Sequence, residues 1–404
     1  MPLSTPFHPR TSALATSNAW KEWAGYHAVC SFDTYIEREY FAFRHAAGLI
    51  DVTPLYKYEV RGRDAGRFLS YVTVKDVTQL APGRVTYLCW CDVDGKVLDD
   101  GTITRWDDDH YRLTSADPSY GWLLRHTRGF DVEIEDVSAK LGALSLQGPN
   151  ALAILDDVSD DAISELRFFR GTRTRLAGKD VEVTRTGYTG DLGYEIWMPN
   201  ESALPVWDAL IEAGVPYGME PAGLDAMDIT RVEAGFILGG VDYTSARNAI
   251  IENQKSSPRE IGLGWCVDLE RDPFIGQRGL LRERETGPAI TIGMLELDWD
   301  ELEAHYEAAG LPPNLPSGGW RESIPVYDGG VQVGYGTSGA WSPTMKRNLA
   351  LATLDIAHSK IGTELRMEVT VYHERKTVKA TVVKRPLFNP ARKRQNFAAE
   401  GSAS

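Results

Sequence analysis

The sequence predicts an α+β protein with more than one domain, and three observations lead to that class. The chain has 404 residues, of which 43% are hydrophobic. Single hydrophobic cores stop growing at roughly 250–300 residues, so we expect two or three domains. Predicted strands are packed with helices without the regular strand–helix alternation of a doubly wound sheet. Beyond position 288, many short strands between turn residues predict a small barrel or sandwich.

Periodicity and turn residues predict the elements of the first 140 positions. The alternation of side chains from Tyr56 to Arg61 predicts a half-buried strand. Strands from Arg84 to Asp92 and from Gly101 to Trp106 flank Asp94-Gly95, a strong hairpin signal. Further predictions in this part are helices at Thr34–Ala47, Arg63–Val72 and Ser119–Thr127, and a strand at Tyr111–Ser115.

The next 140 positions again combine strands and helices, around a glycine-rich loop. The predicted strands are Ala143–Gln147, Asp180–Thr186 and Tyr194–Met198. Apolar residues near helical spacing predict a helix from Ala203 to Ala213. A second helix is predicted from Gly223 to Ala234.

A change in composition at Arg278–Pro288 predicts a domain boundary near 285. We expect one region over 1–285, built of two α+β subdomains at roughly 1–140 and 141–285, and a β-barrel domain over 286–404. Within the barrel domain, the stretch 298–317 is helix-like and then contains three prolines. We interpret it as an insertion that forms a lid or a partner surface.

Several classes of protein are excluded by charge and composition. The net charge of −14 argues against nucleic-acid binding, and no stretch approaches the ~20 apolar residues of a membrane span. The first 20 residues lack the features of a signal peptide, and the four cysteines do not form a disulfide framework. We therefore predict a cytoplasmic protein. We predict no metal site, because the cysteines and histidines lack ligand spacing.

Six groups of residues, in order along the chain, resemble the aminomethyltransferase (glycine cleavage T-protein) family, which includes the tetrahydrofolate-dependent demethylases. They are Gly48–Thr53; Leu146–Pro149; Arg185–Gly190 leading to Gly193-Tyr-Glu195; Pro221–Ala226 with Arg231–Ala234; Phe274–Gln277; and Thr337–Gly339 with Ser342–Thr344. The resemblance implies a three-domain, clover-like α+β fold with a central cavity for tetrahydrofolate. The small C-terminal β-barrel would be the third domain.

The resemblance implies a tetrahydrofolate-dependent one-carbon transferase, and it leaves the donor open. We favour demethylation of a small methylated donor. The first alternative is the glycine cleavage reaction, with an aminomethylated lipoyl carrier protein as partner. An alternative of another class is a non-catalytic, folate-binding iron–sulfur assembly factor, although the segment that bears a cysteine in those factors has none here, at Phe274–Gln277. A domain of a flavin-linked dehydrogenase is disfavoured, because no dinucleotide glycine fingerprint precedes these segments.

The resemblance implies three folate-binding residues. Glu195 matches the family's folate-binding glutamate, and a carboxylate can accept the adjacent amine and ring N–H of a pterin together. Tyr188 lies between Gly187 and Gly190, where its ring could pack on the folate. Tyr87 matches a strand tyrosine that lines the cavity. A surface strand position for Glu195, and core positions for both tyrosines, are the alternatives.

Asp100 matches the acidic residue that T-proteins place beside the reactive folate nitrogens, so we assign it the catalytic role. A carboxylate there could orient a nitrogen, stabilise positive charge or act as a base. Adjacent strand residues face opposite sides, so only one of Asp99 and Asp100 can point into the cavity. A solvated turn pair is the alternative.

One position departs from the family pattern. Met227 stands where T-proteins have an arginine at the folate site, and a thioether cannot donate a hydrogen bond. This departure favours a demethylase over a glycine cleavage role. Asp225, Met227, Asp242 and Tyr243 are candidate substrate contacts near the cavity. The basic residues at 384–385 and 392–394 are interpreted as a solvated end of the chain, and the alternatives are that they cap the barrel or meet the glutamate tail of the folate.

Overall fold

The structure is a computed structural model that describes residues 1–399. In chain order the strands are β1 Ala19–Trp23, β2 Tyr26–Ser31, β3 Ala47–Asp51, β4 Tyr56–Arg61, β5 Val85–Cys91, β6 Val97–Asp107, β7 His110–Ser115, β8 Glu133–Asp136, β9 Leu141–Gln147, β10 Gly171–Leu176, β11 Lys179–Thr184, β12 Gly193–Pro199, β13 Met219–Pro221, β14 Ile290–Leu297, β15 Ile324–Asp328, β16 Val331–Ser342, β17 Arg347–Asp355, β18 Glu364–Val371 and β19 Glu374–Val383. The α-helices are α1 His8–Leu14, α2 Glu37–His45, α3 Ala65–Val72, α4 Tyr120–Leu124, α5 Ala151–Val158, α6 Ala203–Gly214, α7 Leu224–Glu233, α8 Gln277–Thr286 and α9 Trp299–Ala308.

The strands form two open sheets, one closed barrel and a small ribbon. A six-stranded sheet has the order β10-β11-β12-β9-β3-β13, in which only the short β13 pairs in parallel, with β3. A five-stranded antiparallel sheet has the order β5-β6-β7-β4-β8. The strands β1 and β2 form the two-stranded ribbon. The mixture of sheets and helices confirms the predicted α+β class.

The C-terminal barrel closes in the order β14-β17-β16-β15-β18-β19, as the resemblance implied. Leu295, Ala350, Met367 and Val378 point into its core and are at most 1% exposed. The predicted insertion corresponds to α9, whose first turn is capped by the Asp298 side chain, and to the chain that follows α9. This segment connects β14 to β15.

The six-stranded sheet draws strands from both sides of the predicted boundary near 140. β3 pairs with β9 through Gly48↔Gln147 and Ile50↔Ser145, while β4 to β8 belong to the five-stranded sheet. We therefore propose that the first domain combines the N-terminal strand β3 with the region after 140. The division at 285 stays a prediction.

After β19 the chain returns to the six-stranded sheet. The guanidinium of Arg185 donates to the carbonyls of Leu166 at 3.0 Å and of Gln395 at 2.8 Å. Arg392 forms a two-bond ion pair with Asp191. Arg392 and Lys393 are therefore not part of a solvated end, because Arg392 is paired with Asp191 and Lys393 is only 9% exposed, whereas Arg394 is exposed. Within residues 1–399, no helix is both long and apolar enough to span a membrane.

Candidate functional site

The carboxylate of Asp100 is held by two tyrosine hydroxyls. Tyr87 on β5 donates to one oxygen, and Tyr243, from the loop after α7, donates to the other. No cation of residues 1–399 forms an ion pair with Asp100 within 4.0 Å. Burial raises the pKa of Asp100 above its usual value, and the two hydroxyl bonds oppose that rise. The pKa values of both tyrosines lie well above normal, chiefly through burial and then through the Asp100 charge.

Asp99 and Asp100 point to opposite sides of β6, as strand geometry predicts. The Asp99 carboxylate accepts the backbone N–H groups of Asp100 at 2.8 Å and Asp117 at 2.9 Å. Asp99 is 3% exposed, whereas Asp100 is only partly buried. Asp99 therefore stabilises a turn, and Asp100 is the aspartate that a ligand can reach.

Glu195 lies in the middle of the six-stranded sheet, between Thr184 on β11 and Ser145 on β9. The Thr186 hydroxyl donates to its Oε2. Burial raises the pKa of Glu195, and the threonine hydroxyls oppose this effect. The side chain keeps partial exposure despite its central place in the sheet. A carboxylate that stays partly exposed is suited to accept N–H donors from a ligand.

The loop between β11 and β12 carries Tyr188. A Cβ at Gly187 would lie 2.0 Å from the end of the buried Gln147 side chain, so a larger residue there would force that side chain to move. The Tyr188 hydroxyl donates to the carbonyl of Ile237, and its ring stacks on Phe236 with centroids 5.6 Å apart. Burial raises the pKa of Tyr188, and the charge of Asp100 adds to the rise. Tyr188 therefore lies near Asp100 as well as in the loop before Glu195.

Three further residues lie close to this site. For Arg385 and Lys393 a folate contact was only the alternative to a solvated end, and Trp265 was not predicted from the sequence. Lys393 lies 4.6 Å from the Phe236 ring centroid, and burial lowers its pKa to about 8. Trp265 stacks on Tyr87 at 6.1 Å and is 66% exposed. Arg385 packs against Gly235 and Gly262, and burial lowers its pKa. The stretches that carry them resemble none of the six family segments, so the sequence offered no signal for them.

Asp242 is placed in a buried junction. One carboxylate oxygen accepts from Arg231 at 2.6 Å and from the Leu238 backbone at 2.8 Å. The other accepts from the hydroxyls of Thr337 and Ser338 on β16. Asp242 is 3% exposed and both its oxygens are occupied. We propose that it ties the loop after α7 to the barrel, in place of the substrate contact that the sequence suggested.

The remaining predicted contacts lie in the first turns of α7 or directly on Asp100. Met227, like Trp23 and Leu55, packs against the buried cluster that contains Trp197. Trp197 follows Glu195 by two positions on β12, so both side chains lie on the same face of the sheet. Asp225 is partly exposed, and burial raises its pKa. Tyr243 donates to Asp100 and is 6% exposed, so its hydroxyl is directed at that carboxylate.

The site as a whole combines groups from both open sheets, from the loop after α7 and from the chain after the barrel. Glu195 presents an acceptor, Tyr188 and Phe236 present aromatic faces, and Asp100 presents a carboxylate without a cation. Such a set can bind a flat ring with adjacent N–H groups and can exchange a proton beside it.

Comparisons with known proteins agree on one family. The family model of the GCVT N-terminal domain matches residues 10–271, and that of the glycine cleavage T-protein C-terminal barrel domain matches 313–389. The chain is 33% identical over 372 residues to an aminomethyltransferase of Caldanaerobacter subterraneus, with 91% of each chain covered. It is 34% identical over 377 residues to one of Geobacillus thermodenitrificans, covering 92% of this chain and 94% of the relative.

A solved structure has the same fold. The glycine cleavage system aminomethyltransferase T of Bartonella henselae superposes with a TM-score of 0.80 at 23% identity. The match covers 96% of this chain and 99% of the other. The shared fold includes the two open sheets and the closed barrel, so the clover-like architecture implied by the family segments is confirmed.

Proposed function

Because the chain belongs to the glycine cleavage T-protein family, we propose that it is a tetrahydrofolate-dependent one-carbon transferase of the aminomethyltransferase type. The donor would be an aminomethyl group on the lipoyl arm of a carrier protein. Curated relatives that are 33–34% identical over about nine tenths of the chain carry the name aminomethyltransferase. They favour this reaction over the demethylation that Met227 suggested.

The residues at the site fit reduced folate. The partly exposed carboxylate of Glu195 can accept the neighbouring N–H groups at one edge of a pterin, and the Thr186 hydroxyl already orients Oε2. The stacked rings of Tyr188 and Phe236 offer an apolar face for a flat ligand. Lys393 beside Phe236 can meet a carboxylate of the same ligand. Tetrahydrofolate supplies the ring nitrogens that accept the one-carbon unit.

In this proposal Asp100 holds and moves a proton. The observation that supports this role is the set of groups around its carboxylate. Its carboxylate has neutral hydroxyl partners and no cation within residues 1–399. Burial raises the pKa of Asp100, so this pKa lies nearer to neutral pH than the pKa of a solvated aspartate. Tyr87 and Tyr243 orient both oxygens, so the carboxylate is positioned before the substrate arrives.

Demethylation of a methylated small molecule stays a second candidate, and one observation favours it. Helix α7 brings Met227 rather than a guanidinium to the sheet face of Glu195, where it packs against the apolar cluster that contains Trp197. An apolar wall at this place suits a methyl-bearing donor better than a polar arm. The non-catalytic iron–sulfur assembly factor remains the alternative of another class.

The folate product separates these candidates. The protein is incubated with tetrahydrofolate and either an aminomethylated lipoyl carrier protein or a panel of N-, O- and S-methylated compounds. Mass spectrometry of the folate then distinguishes outcomes: 5,10-methylene-tetrahydrofolate with the carrier supports the proposal, and 5-methyl-tetrahydrofolate with a small donor supports demethylation. Binding of tetrahydrofolate without turnover by any donor would contradict both enzyme readings.

The proposed cellular setting is the cytoplasm. All four cysteines are free, and three of them, Cys89, Cys91 and Cys266, lie buried in one cluster. Unpaired thiols at such close quarters suit a reducing compartment.

A further inference from the structure

Arg385, which lies just after the end of β19, carries a guanidinium group without an acceptor in the described part of the chain. Its Nη1 atom is buried and has no hydrogen-bond partner. Among residues 1–399, no carboxylate lies within 4.0 Å of the guanidinium, and its other nitrogens donate no hydrogen bond. Burial of a charge without a partner costs free energy, which an acceptor would offset. The guanidinium therefore has donors left for a ligand.

Two other interior arginines, on or near α7, have acceptors of their own. Arg231 donates to Asp242 at 2.6 Å, and Arg44 donates through Nε to Glu233 at 2.8 Å. Both arginines are at most 3% exposed. Arg385 has no such carboxylate and keeps partial exposure, so a molecule from solvent can reach its side chain.

Two glycines locate the arginine side chain. A Cβ at Gly235 would lie 2.3 Å from the Cγ of Arg385, and a Cβ at Gly262 would lie 1.9 Å from its Nη2. Both glycines have positive φ, 67° and 76°, a conformation that favours glycine. The stem of Arg385 therefore passes the loop after α7, and its guanidinium reaches the loop that contains Gly262.

These two loops carry aromatic residues of the candidate site. Phe236 follows the first glycine directly and stacks on Tyr188, with ring centroids 5.6 Å apart. Trp265 comes three residues after the second glycine and stacks on Tyr87 at 6.1 Å. Tyr87 in turn donates to Asp100. The arginine side chain therefore runs from the loop of one stacked pair to the loop of the other, beside the site.

The acidic groups nearby are already engaged. Both carboxylate oxygens of Asp242 accept hydrogen bonds from other residues, and Asp100 is held by Tyr87 and Tyr243. Burial lowers the pKa of Arg385, and the nearby charge of Asp242 partly opposes this effect. A carboxylate brought by a ligand would supply the acceptor that these aspartates do not.

We propose that Arg385 binds a carboxylate of a molecule held in this site. A guanidinium presents several N–H donors in one plane and matches the two oxygens of a carboxylate. The carboxylate would belong to the tail of the folate or to an acidic one-carbon donor. The assignment deepens the proposed function and rests on it, because it gives a ligand group to a residue that the mechanism above does not use.

A comparison of folate with a ligand that lacks its tail tests the first source. Titrations of the full chain use tetrahydrofolate and 6-methyltetrahydropterin, which keeps the reduced ring and has no carboxylate. If Arg385 binds the folate tail, Arg385→Met should raise the Kd of tetrahydrofolate by about 10–100-fold, the factor that a charge-assisted bond contributes. The Kd of 6-methyltetrahydropterin should stay unchanged. Equal weakening of both ligands would overturn the proposal, since it would indicate a damaged site.

Methylated acids and their amides test the second source. With 6-methyltetrahydropterin at saturation, N-methylglycine and methoxyacetate are each compared with the corresponding amide, which has the same size and no charge. If the donor supplies the carboxylate, at least one acid should bind about tenfold or more tightly than its amide, and Arg385→Met should remove that preference. This result would also favour demethylation over transfer from a lipoyl arm.

Lys384→Met is the matched control, because it removes the same charge from the exposed neighbouring position. Arg385→Lys keeps the charge without the planar donor set and should lose less affinity than Arg385→Met. Thermal unfolding shows that each variant is folded. No effect of Arg385→Met in either comparison, or an equal loss in Lys384→Met, would overturn the proposal while folate binding and turnover by the unaltered protein stand. Failure of the unaltered protein to bind tetrahydrofolate would instead contradict the proposed function itself.

Discussion

Two aspartates near helix α7 are both shielded from bulk solvent, but their partners differ. Asp100 is bonded by two neutral hydroxyls, and burial raises its pKa. Asp228 is bonded by two guanidinium groups, which hold its pKa below the usual range. The first carboxylate can gain a proton at modest cost, whereas the second is locked in its charged form.

This difference would separate the carboxylate to which we assign proton transfer from a structural one. An arginine partner stabilises the charged form so strongly that proton exchange becomes unfavourable. Hydroxyl partners orient the carboxylate and leave its proton affinity adjustable. Burial alone therefore does not distinguish a carboxylate that can exchange a proton from a structural one. The charge of its hydrogen-bond partners makes that distinction.

The largest expected effect comes from neutralising the reactive carboxylate. Asp100→Asn should lower kcat by about 10²–10⁴-fold, the range that general acid–base groups contribute. Folate affinity should stay within about threefold, because the amide keeps the shape and accepts one of the two tyrosine bonds. Steady-state kinetics and folate titration measure the two quantities. Equal losses in both would contradict a catalytic role.

Arg231 forms ion pairs with both Asp228 and Asp242, so its replacement tests the structural role assigned to Asp228. Arg231→Met should lower the free energy of unfolding by about 3–5 kcal/mol, because Asp228 and Asp242 then stay buried with one partner fewer. Urea unfolding measures the change. Arg321→Met is the matched control: this arginine contacts Asp228 from a partly exposed position, and its removal should cost about 1 kcal/mol or less. Similar losses in the two variants would refute the distinction.

Replacement of Glu195 should weaken folate binding more than it slows turnover. Glu195→Ala should raise the folate Kd by about 10–100-fold, because a charge-assisted bond is worth about 1.5–3 kcal/mol. The turnover rate at saturating folate should change much less. Fluorescence titration with tetrahydrofolate provides the measurement, and Glu201→Ala, an exposed position just after the same strand, serves as control. A normal Kd in Glu195→Ala would rule out the proposed contact.

The smallest expected effect tests how the tyrosine hydroxyls influence Asp100. The bond from Tyr243 lowers the pKa of Asp100, so Tyr243→Phe should raise that pKa. Asp100 would then take up its proton at a higher pH, and the acidic limb of the rate profile should move upward. The loss of one bond of about 1 kcal/mol should reduce kcat by about fivefold. An unmoved acidic limb would show that Asp100 does not control the rate.

Sequence reasoning located the elements with strong local signals. Tyr56–Arg61 and the hairpin around Asp94-Gly95 correspond to β4, β5 and β6. The ribbon β1–β2 was not predicted, because its strands are short and its burial pattern does not alternate cleanly. Helix α8 was interpreted as a boundary, since its charged residues carry little apolar periodicity. Local patterns reveal periodicity, but they do not reveal which segments a distant surface will cover.

The same limit applies to the site. Asp100, Tyr87 and Tyr243 were named separately from family segments and loop position, and the structure brings them into one network. Their roles, and that of Glu195, stay predictions until the variants are measured. Arg392 and Lys393 were misjudged, because the partner of Arg392 is Asp191, about 200 positions earlier. No composition rule detects a pair formed across such a separation.

The return of the chain to Arg185 has a consequence for how the protein is made. Residues 385–395 leave the ribosome after both open sheets and the barrel, yet Arg185, Phe236 and Asp191 contact them. The guanidinium of Arg185 can bond the carbonyl of Leu166 early, but its bond to the carbonyl of Gln395 forms only after the C-terminal residues are made. The two open sheets and the barrel can therefore form during translation, whereas residues 385–395 pack against Arg185, Asp191 and Phe236 only at the end of synthesis.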